Sequence, residues 1–380
     1  MRLPRNARWA VPAVAVAVIG GAIAASAISV AQAAPDLPAK TPAQLLAGIA
    51  STQKIPPLTG TVVETANLGL PQLPDAGNST SLASLITGSH TIKVYWLDAT
   101  HFRLAMPQTM TENDLIRNGS TLWLWESSSN SVTRYSLAGH DARNAAPEDL
   151  PALTPQQAVG DLLQAVGTTT VVSVESTVSV AGEPAYQLVL APKDSRSTIG
   201  SISIAIDAKT NVPLRVQVFA KGSAAPAFQV GYTQISYVAP AAANFDFTPP
   251  PGATYTNEAR PPAAGQRDAG PAPAGESGTY GSGWLTVAEV PSALLSEAAG
   301  NSSAAAAPSG PGTFGADSQG AINAFLGAGK RVSGSWGSGQ LIHTSLINVL
   351  IVGNELYIGA VEPSVLQAAV GHATPAANGS

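Results

Sequence analysis

Residues 118–137 read NGSTLWLWESSSNSVTRYSL, and this stretch indicates the class of fold. Asn118-Gly119 is a turn dipeptide, and Ser127 to Asn130 form a second polar turn. Between and after these turns lie Thr121 to Glu126 and Val132 to Leu137, which are rich in aromatic and β-branched residues. Because the turn between them is short, the stretch predicts two antiparallel strands of a hairpin.

The strand pattern continues on both sides of this hairpin. The other predicted strands are Thr59 to Ala66, Thr91 to Leu97, His101 to Met106, Thr169 to Val180, Ala185 to Leu190, Ile199 to Ile206, Leu214 to Phe219 and Phe228 to Tyr237. We expect Phe245 to Thr248 to close this series of strands. Thr41-Pro42 and Thr154-Pro155 each predict the start of a helix. About ten sequential antiparallel strands with two helices predict a mainly β (α+β) protein built on one large curved sheet or partial barrel.

The C-terminal third predicts a separate small α+β unit. Residues 256–283 are rich in Ala, Gly, Pro and Ser, which is typical of a flexible linker. The unit spans 284–370 and a disordered tail 371–380 follows it. Its predicted strands are Trp284 to Val290, Arg331 to Trp336, Leu341 to Val352 and Glu355 to Val361, and its predicted helices are Pro291 to Ala298 and Ala321 to Leu326, with a disordered loop at 299–319.

The N-terminus carries an export signal. Arg2, Arg5 and Arg8 precede an uncharged apolar run that ends in Ala31-Gln32-Ala33, a pattern typical of a cleavage site. The run approaches the length of a membrane span, so residues 1–33 are either a cleaved signal peptide or a retained anchor. Both alternatives place the rest of the chain outside the cytoplasm, because the arginines stay on the inner side. We therefore expect an extracytoplasmic protein, secreted or anchored to the outer face of the cytoplasmic membrane.

Composition excludes several classes of protein. The chain has no cysteine, which excludes disulfides, thiolate metal sites and an acylated lipoprotein cysteine. Three of the 19 basic residues lie in 1–33, so 16 remain against 24 acidic residues, a net charge of −8. Nucleic acid is not an expected partner, because phosphate binding needs clustered lysines and arginines.

The sequence lacks the common signatures of catalysis and metal binding. Its five histidines are scattered, and no Gly-x-Ser-x-Gly, phosphate-binding glycine loop or His-Glu-x-x-His is present. We therefore predict no metal, no cofactor and no enzymatic activity. His101 with Asp98 or Glu126 is the one pairing that would suit a convergent hydrolase site, and an exposed histidine at a strand end is its simpler interpretation.

Several motifs occur in the order found in a known family. Phe102-Arg103-Leu104 precedes Asn118-Gly119, Leu122-Trp123-x-Trp125 and Asn130-x-Val132-Thr133. This series resembles the LolA/RseB-like lipoprotein-carrier superfamily, in which a Phe-Arg strand precedes an (Asp/Asn)-Gly, Leu-Trp, aromatic hairpin. Later segments are similar too: Gly182 to Pro192, Asp207 to Arg215, and Phe245-x-Phe247-Thr248-Pro249-Pro250-x-Gly252.

The resemblance covers about residues 41–255 and implies a LolA-like domain over 34–255. It implies a half-open antiparallel β-barrel with covering helices, whose concave side binds the acyl chains of a lipid or an acylated protein. The Ala, Gly and Pro bias suits an actinobacterium, where a shuttle to a conventional outer membrane would have no destination. The resemblance also implies contact with the cytoplasmic membrane surface.

Strand alternation gives thirteen candidate residues for lining the cavity. Trp123 and Trp125 are included because two indoles are unfavourable on a solvated face. The candidates are Ile92, Val94, Trp96, Phe102, Leu104, Met106, Trp123, Trp125, Leu188, Leu190, Ile202, Ile204 and Ile206. Periodicity does not separate an open cavity from an ordinary filled core.

Two non-enzymatic functions fit these patterns. The first is extracytoplasmic binding or transfer of lipid or lipoprotein acyl chains, with the helix at Pro42 to Thr52 or at Pro155 to Val166 as a movable cover. The second is an RseB-like sensor that regulates a membrane protein, such as an anti-sigma factor, through residues 284–370.

Overall fold

The computed structural model describes residues 35–51, 55–69, 87–108, 110–137, 167–258, 278–291 and 329–373. The predicted signal or anchor, the helix at 155–166, the segments 292–298 and 321–326 of the other predicted helices, and the loop at 299–319 lie outside these ranges. Within the described ranges, no helix has the length and hydrophobicity to cross a membrane.

Most of the described chain is β-structure, as predicted. A large sheet contains β1 (Leu58–Asn67), β2 (Thr87–Asp98), β3 (His101–Pro107), β4 (Glu112–Asn118), β5 (Thr121–Glu126), β6 (Ser131–Ser136), β7 (Thr170–Val174), β8 (Val178–Val180), β9 (Glu183–Pro192), β10 (Ile199–Asp207), β11 (Pro213–Ala220), β12 (Pro226–Ser236) and β13 (Thr254–Glu258). The strand order is β13-β6-β5-β4-β3-β2-β1-β12-β11-β10-β9-β7, with β8 paired to β9, so the sheet is not closed into a barrel.

The first strand occupies the middle of this sheet. β1 pairs with β2 on one side and with β12 on the other, both antiparallel. Short turns explain most other neighbours: at Ala181-Gly182 both residues have positive φ, 54° and 88°, which suits the two-residue hairpin between β8 and β9. The predicted strand Thr169 to Val180 is therefore interrupted, and its two parts are β7 and β8.

Three features of the large sheet differ from the sequence-based expectations. β4 was not predicted, because its sequence ENDLIRN carries five polar residues among seven. Residues 245–248, expected to close the sheet, are not a strand. The closing strand is β13, which pairs in parallel with β6. The segment expected to be a linker thus begins in a strand at residues 256–258, and it ends in β14 (Thr279–Tyr280).

The C-terminal unit has a sheet of six antiparallel strands in the order β14-β15-β19-β18-β17-β16. Its strands beyond β14 are β15 (Val287–Pro291), β16 (Lys330–Gly334), β17 (Gly337–His343), β18 (Asn348–Val352) and β19 (Glu355–Gly359). The single strand predicted at Leu341 to Val352 is split by a turn, in which the Thr344 hydroxyl donates to Ile347 O. The described chain begins with helix α1 (Pro42–Ser51), which precedes the large sheet. A second helix, α2 (Pro363–Ala373), was missed by the sequence analysis; it continues into the expected tail and packs on β15, β18 and β19.

Both faces of the small sheet are apolar. Leu350 and Tyr357 lie on the face that packs against α2 through Leu366 and Val370. Val349 and Ile342 lie on the opposite face, and they belong to the same apolar core as the large sheet. A strand with apolar residues on both faces must be covered on both. The helix covers one face and the large sheet covers the other.

Backbone hydrogen bonds also join the two units. Thr198 N donates to Ala360 O at 3.0 Å, Glu362 N to Arg196 O at 2.8 Å, and Ser345 N to Leu68 O at 2.8 Å. The Trp284 indole donates to Thr170 Oγ1 at 2.8 Å. The C-terminal unit is therefore packed directly on the large sheet.

Candidate ligand-binding site

The large sheet presents one continuous apolar face, and strand register defines its members. Residues that are directly paired across neighbouring strands lie on the same face of the sheet. Leu104 in β3 pairs with Val94 in β2, and β2 is the neighbour of the central strand β1. On the other half of the sheet, Leu188, Ile204 and Val216 are paired in succession. We call this set the apolar face; of the thirteen candidate residues it contains Ile92, Val94, Trp96, Phe102, Leu104, Met106, Leu188, Leu190, Ile202, Ile204 and Ile206.

Most of these eleven side chains are buried. Ile92, Leu188 and Ile204 have no exposed surface, whereas Trp96 and Met106 are only partly buried. Trp96 stacks on Phe102 with ring centroids 5.6 Å apart. The indole N–H of Trp96 is buried without a hydrogen-bond partner in the described structure.

Trp123 and Trp125 lie on the opposite face, so the expectation that they point inward with the others is wrong. In β5, Leu122 and Leu124 pair with Arg117 and Leu115, which share the face of Phe102 and Leu104. Both indoles are covered by the chain itself, because Phe247 lies 5.4 Å from Trp123 and 6.1 Å from Trp125 between ring centroids. Tyr255 and Arg134 complete the cover of Trp123.

Two fully buried charged side chains of the described chain lie on the apolar face: Arg117 in β4, whose Nε donates to Gly119 O, and Glu64 in β1. Glu64 shares a face of β1 with Val62 and Ala66, and it is 1% exposed. Neither of its carboxyl oxygens has a hydrogen-bond partner in the described structure. Burial raises the pKa of Glu64 to about 8, because desolvation disfavours the charged form. Strand alternation in the sequence could have identified this residue as inward-facing.

Helix α1 (Pro42–Ser51) lies against the apolar core, and it begins as predicted. Thr41 N donates to Gln44 Oε1 at 2.8 Å, and Gln44 N donates to Thr41 Oγ1 at 3.2 Å, which forms a capping box. Leu45 is 1% exposed within the core, while Leu46 and Ile49 are partly buried against it. The helix therefore covers part of the core with three apolar side chains.

The segment before α1 is fixed to the second half of the sheet. The Tyr186 hydroxyl donates to Pro38 O at 2.7 Å, and the Thr177 hydroxyl donates to Pro35 O at 2.6 Å. The ammonium group of Lys40 lies 4.6 Å from the centroid of the Tyr186 ring. These contacts hold the start of α1 in place.

A cleft of about 440 Å³ lies between the two units. Val365, Ala369 and Leu285 contribute apolar lining, and Trp284 and His372 also border it. Asp194 and Arg196 border the cleft as an ion pair with a 2.7 Å contact. Hydrogen bonds from Arg196 lower the pKa of Asp194 to about 2. The cleft thus combines apolar surface with one fixed pair of charges.

The described residues bring together no group of three or more potential metal ligands. His101 Nδ1 lies 3.2 Å from Asp98 Oδ1, while the same carboxylate accepts bonds from the backbone and hydroxyl of Thr100. This arrangement is a polar turn at the end of a hairpin, and the Thr100 hydroxyl already donates to Asp98. The absence of catalytic activity stays a prediction.

No family model and no curated protein matches the chain. Solved structures do match: MucB at 16% identity and a TM-score of 0.38, covering 86% of this chain and 95% of MucB. The complex of Pseudomonas aeruginosa MucA/MucB matches at 13% identity and a TM-score of 0.40, and the match covers 87% of this chain and 96% of that chain. A LolA superfamily protein from Nitrosomonas europaea matches at 11% identity and 0.23, covering 55% of this chain and 99% of that protein. The last of these proteins is described as a member of the LolA superfamily.

Proposed function

We propose that this protein binds lipid or lipoprotein acyl chains on its apolar face, outside the cytoplasm and without catalysis. The observation that supports the proposal is the continuity of that face across neighbouring strands, from Phe102 in β3 to Leu190 in β9. Burial of about a dozen methylene groups stabilises a complex by about 10 kcal/mol at roughly 0.8 kcal/mol each, before ordering costs are subtracted.

Access to the apolar face requires that its cover moves, because most of its side chains are buried. Helix α1 is the described element best suited to this movement. It is a short helix of 10 residues, and most of its contribution to the core comes from Leu45. We therefore infer that α1 is the movable cover of the binding site.

Two tryptophans on opposite faces give a matched test of the site. Native mass spectrometry and solvent extraction of the full chain should recover acyl ligands. Trp96→Ala should reduce the bound lipid at least tenfold, because Trp96 lies on the apolar face. Trp123→Ala removes an indole from the other face and should leave the lipid content unchanged. Equal loss in both variants, or no lipid in the unaltered protein, would contradict the proposal.

A second candidate function is regulation of a membrane protein through the C-terminal unit. The cleft between the two units supports it, because its apolar lining and the Asp194–Arg196 pair suit a peptide segment of a partner such as an anti-sigma factor. Removal of residues 284–380 is a poor test, since it would take Leu346 and Ile347 out of the shared apolar core and uncover large-sheet side chains of that core.

Point variants separate the two functions. Val365→Asp places a charge in the cleft, away from the apolar face. A regulator carrying this change should lose its membrane-protein partner in a pulldown and keep its lipid. Trp96→Ala should lose the lipid and keep the membrane-protein partner. A partner that Val365→Asp leaves bound would exclude the cleft as the contact surface.

A further inference from the structure

Glu64 has no structural role that the fold explains. Its cross-strand partners are His90 in β2 and Val230 in β12, and neither bonds its carboxyl group. A buried polar group without a partner costs about 1–3 kcal/mol of stability. Such groups are rare in folded proteins, and they point to a partner that binds there.

The position of Glu64 relates it to the candidate lipid site. Along β1, Glu64 and Leu58 share the apolar face and are separated by six residues, about 20 Å at roughly 3.3 Å per residue. Leu58 pairs with Trp96, whereas Glu64 pairs with His90. Between them lie Ile92 and Val94 of β2. An apolar strip therefore runs from a carboxyl group at one end to an indole at the other.

We infer that Glu64 is the polar anchor of this strip and that it hydrogen-bonds the uncharged hydroxyl headgroup of an acyl-chain ligand. The inference rests on the proposed function and specifies the class of ligand. The carboxyl is protonated at neutral pH, since burial raises its pKa to about 8, so it offers one O–H donor and one carbonyl acceptor. A hydroxyl group can donate one hydrogen bond and accept another, so it can pair with both the O–H and the carbonyl oxygen of the Glu64 carboxyl.

A charged headgroup fits this site less well. Burial of an ion costs several kcal/mol unless a counter-ion compensates it. Burial lowers the pKa of His90, so the side chain opposite Glu64 is neutral at physiological pH, and Val230 on the other side is apolar. A neutral donor and acceptor therefore complements Glu64 without a new buried charge.

The test compares 1-hexadecanol with hexadecane, which has the same chain length and no hydroxyl. Displacement of a fluorescent acyl probe from the full chain measures both affinities, and hexadecylammonium serves as the charged comparison. We expect hexadecanol to bind about fivefold to tenfold more tightly than hexadecane, the effect of one or two hydrogen bonds. Glu64→Leu should remove this preference, and Glu64→Gln, which keeps a donor and an acceptor, should retain it.

The pH dependence provides a second measurement that does not require Glu64→Leu to fold. In the unaltered protein the preference for hexadecanol should decrease as pH rises through about 8, because the carboxyl ionises. In Glu64→Gln it should be constant. His90 titrates below its ordinary range and does not contribute in this window.

Each outcome decides between the two proposals. If the protein binds neither alcohol nor alkane, the proposed function and the anchor both fail. If it binds both equally, or if Glu64→Leu keeps the preference, the anchor alone is overturned and acyl-chain binding stands. If hexadecylammonium binds most tightly of the three ligands and Glu64→Gln removes that preference, the inference of an uncharged headgroup is wrong.

Discussion

At the scale of single residues, the buried carboxyl of Glu64 affects stability as well as binding. The folded protein keeps a proton on Glu64 up to about pH 8, whereas the unfolded chain loses it near its ordinary pKa of 4.5. The folded state binds more protons between these values, so stability falls as pH rises through this window. The decrease is at most about 1.4 kcal/mol per pH unit for one group.

Substitution of Glu64 should therefore stabilise the empty protein. We expect Glu64→Leu to raise the free energy of unfolding by about 1–3 kcal/mol at pH 7, because it removes a buried polar group without a partner. Urea titrations at several pH values should also show a flatter pH dependence of stability between pH 4.5 and about 8. Glu175→Gln, at an exposed carboxyl, is the control and should leave both quantities unchanged. Destabilisation by Glu64→Leu would mean that the carboxyl has a structural partner.

At the scale of elements, β5 and α1 show how the sheet is covered. Both faces of β5 are apolar, and the chain covers the outer one with Phe247, in the segment before β13, and with Tyr255 of β13. Phe245, two residues before Phe247, is also buried, and its carbonyl accepts from Asn118 Nδ2 at 3.4 Å. On the other half of the sheet, α1 lies next to β7 and covers part of the apolar core with Leu45.

A disulfide between α1 and the turn that joins β10 to β11 should block lipid exchange. An ideal Cβ at Gly48 lies 3.2 Å from Cγ of Asn211, so Gly48→Cys with Asn211→Cys places two thiols within reach. The chain has no other cysteine. We expect oxidation to slow acyl exchange at least tenfold and reduction to restore it. Each single-cysteine variant is a control, and unchanged exchange in the oxidised pair would reject α1 as the cover.

At the scale of the whole molecule, the two units share one apolar core. Leu346 and Ile347 of the C-terminal unit belong to the same cluster as Ile204 and Val230 of the large sheet. Exposed contacts add little by comparison: the Lys221–Glu362 pair, at 2.9 Å, joins two half-exposed side chains. The shared core should make the units unfold together.

Leu346→Ala tests this cooperativity. Leu346 has no exposed surface, and we expect its truncation to lower the free energy of unfolding by about 2–5 kcal/mol. Tryptophan fluorescence and circular dichroism should report one coincident transition before and after the change. Val238→Ala, at a residue 69% exposed, is the control. Two separate transitions, with only one affected, would show that the units are independent.

Local sequence determined most strands and the start of α1. Turn dipeptides, β-branched residues and the Thr41-Pro42 signal act over a few neighbouring residues, so they can be interpreted without tertiary structure. The same alternation placed eleven of the thirteen candidate residues on one face. β4 was missed because its many polar residues interrupt the alternation of apolar and polar residues that is typical of a strand, although it lies between two predicted strands.

Only tertiary structure decided which face of β5 is inner, how Glu64 is surrounded and where the C-terminal unit packs. Alternation separates the two faces of a strand and does not say which one the rest of the chain will cover. Phe247 and Tyr255 are more than a hundred residues from Trp123 in sequence, and Leu346 is more than a hundred residues from Ile204 and Val230 of the same core. Contacts over such separations are fixed by how the whole chain folds, because no local pattern encodes them.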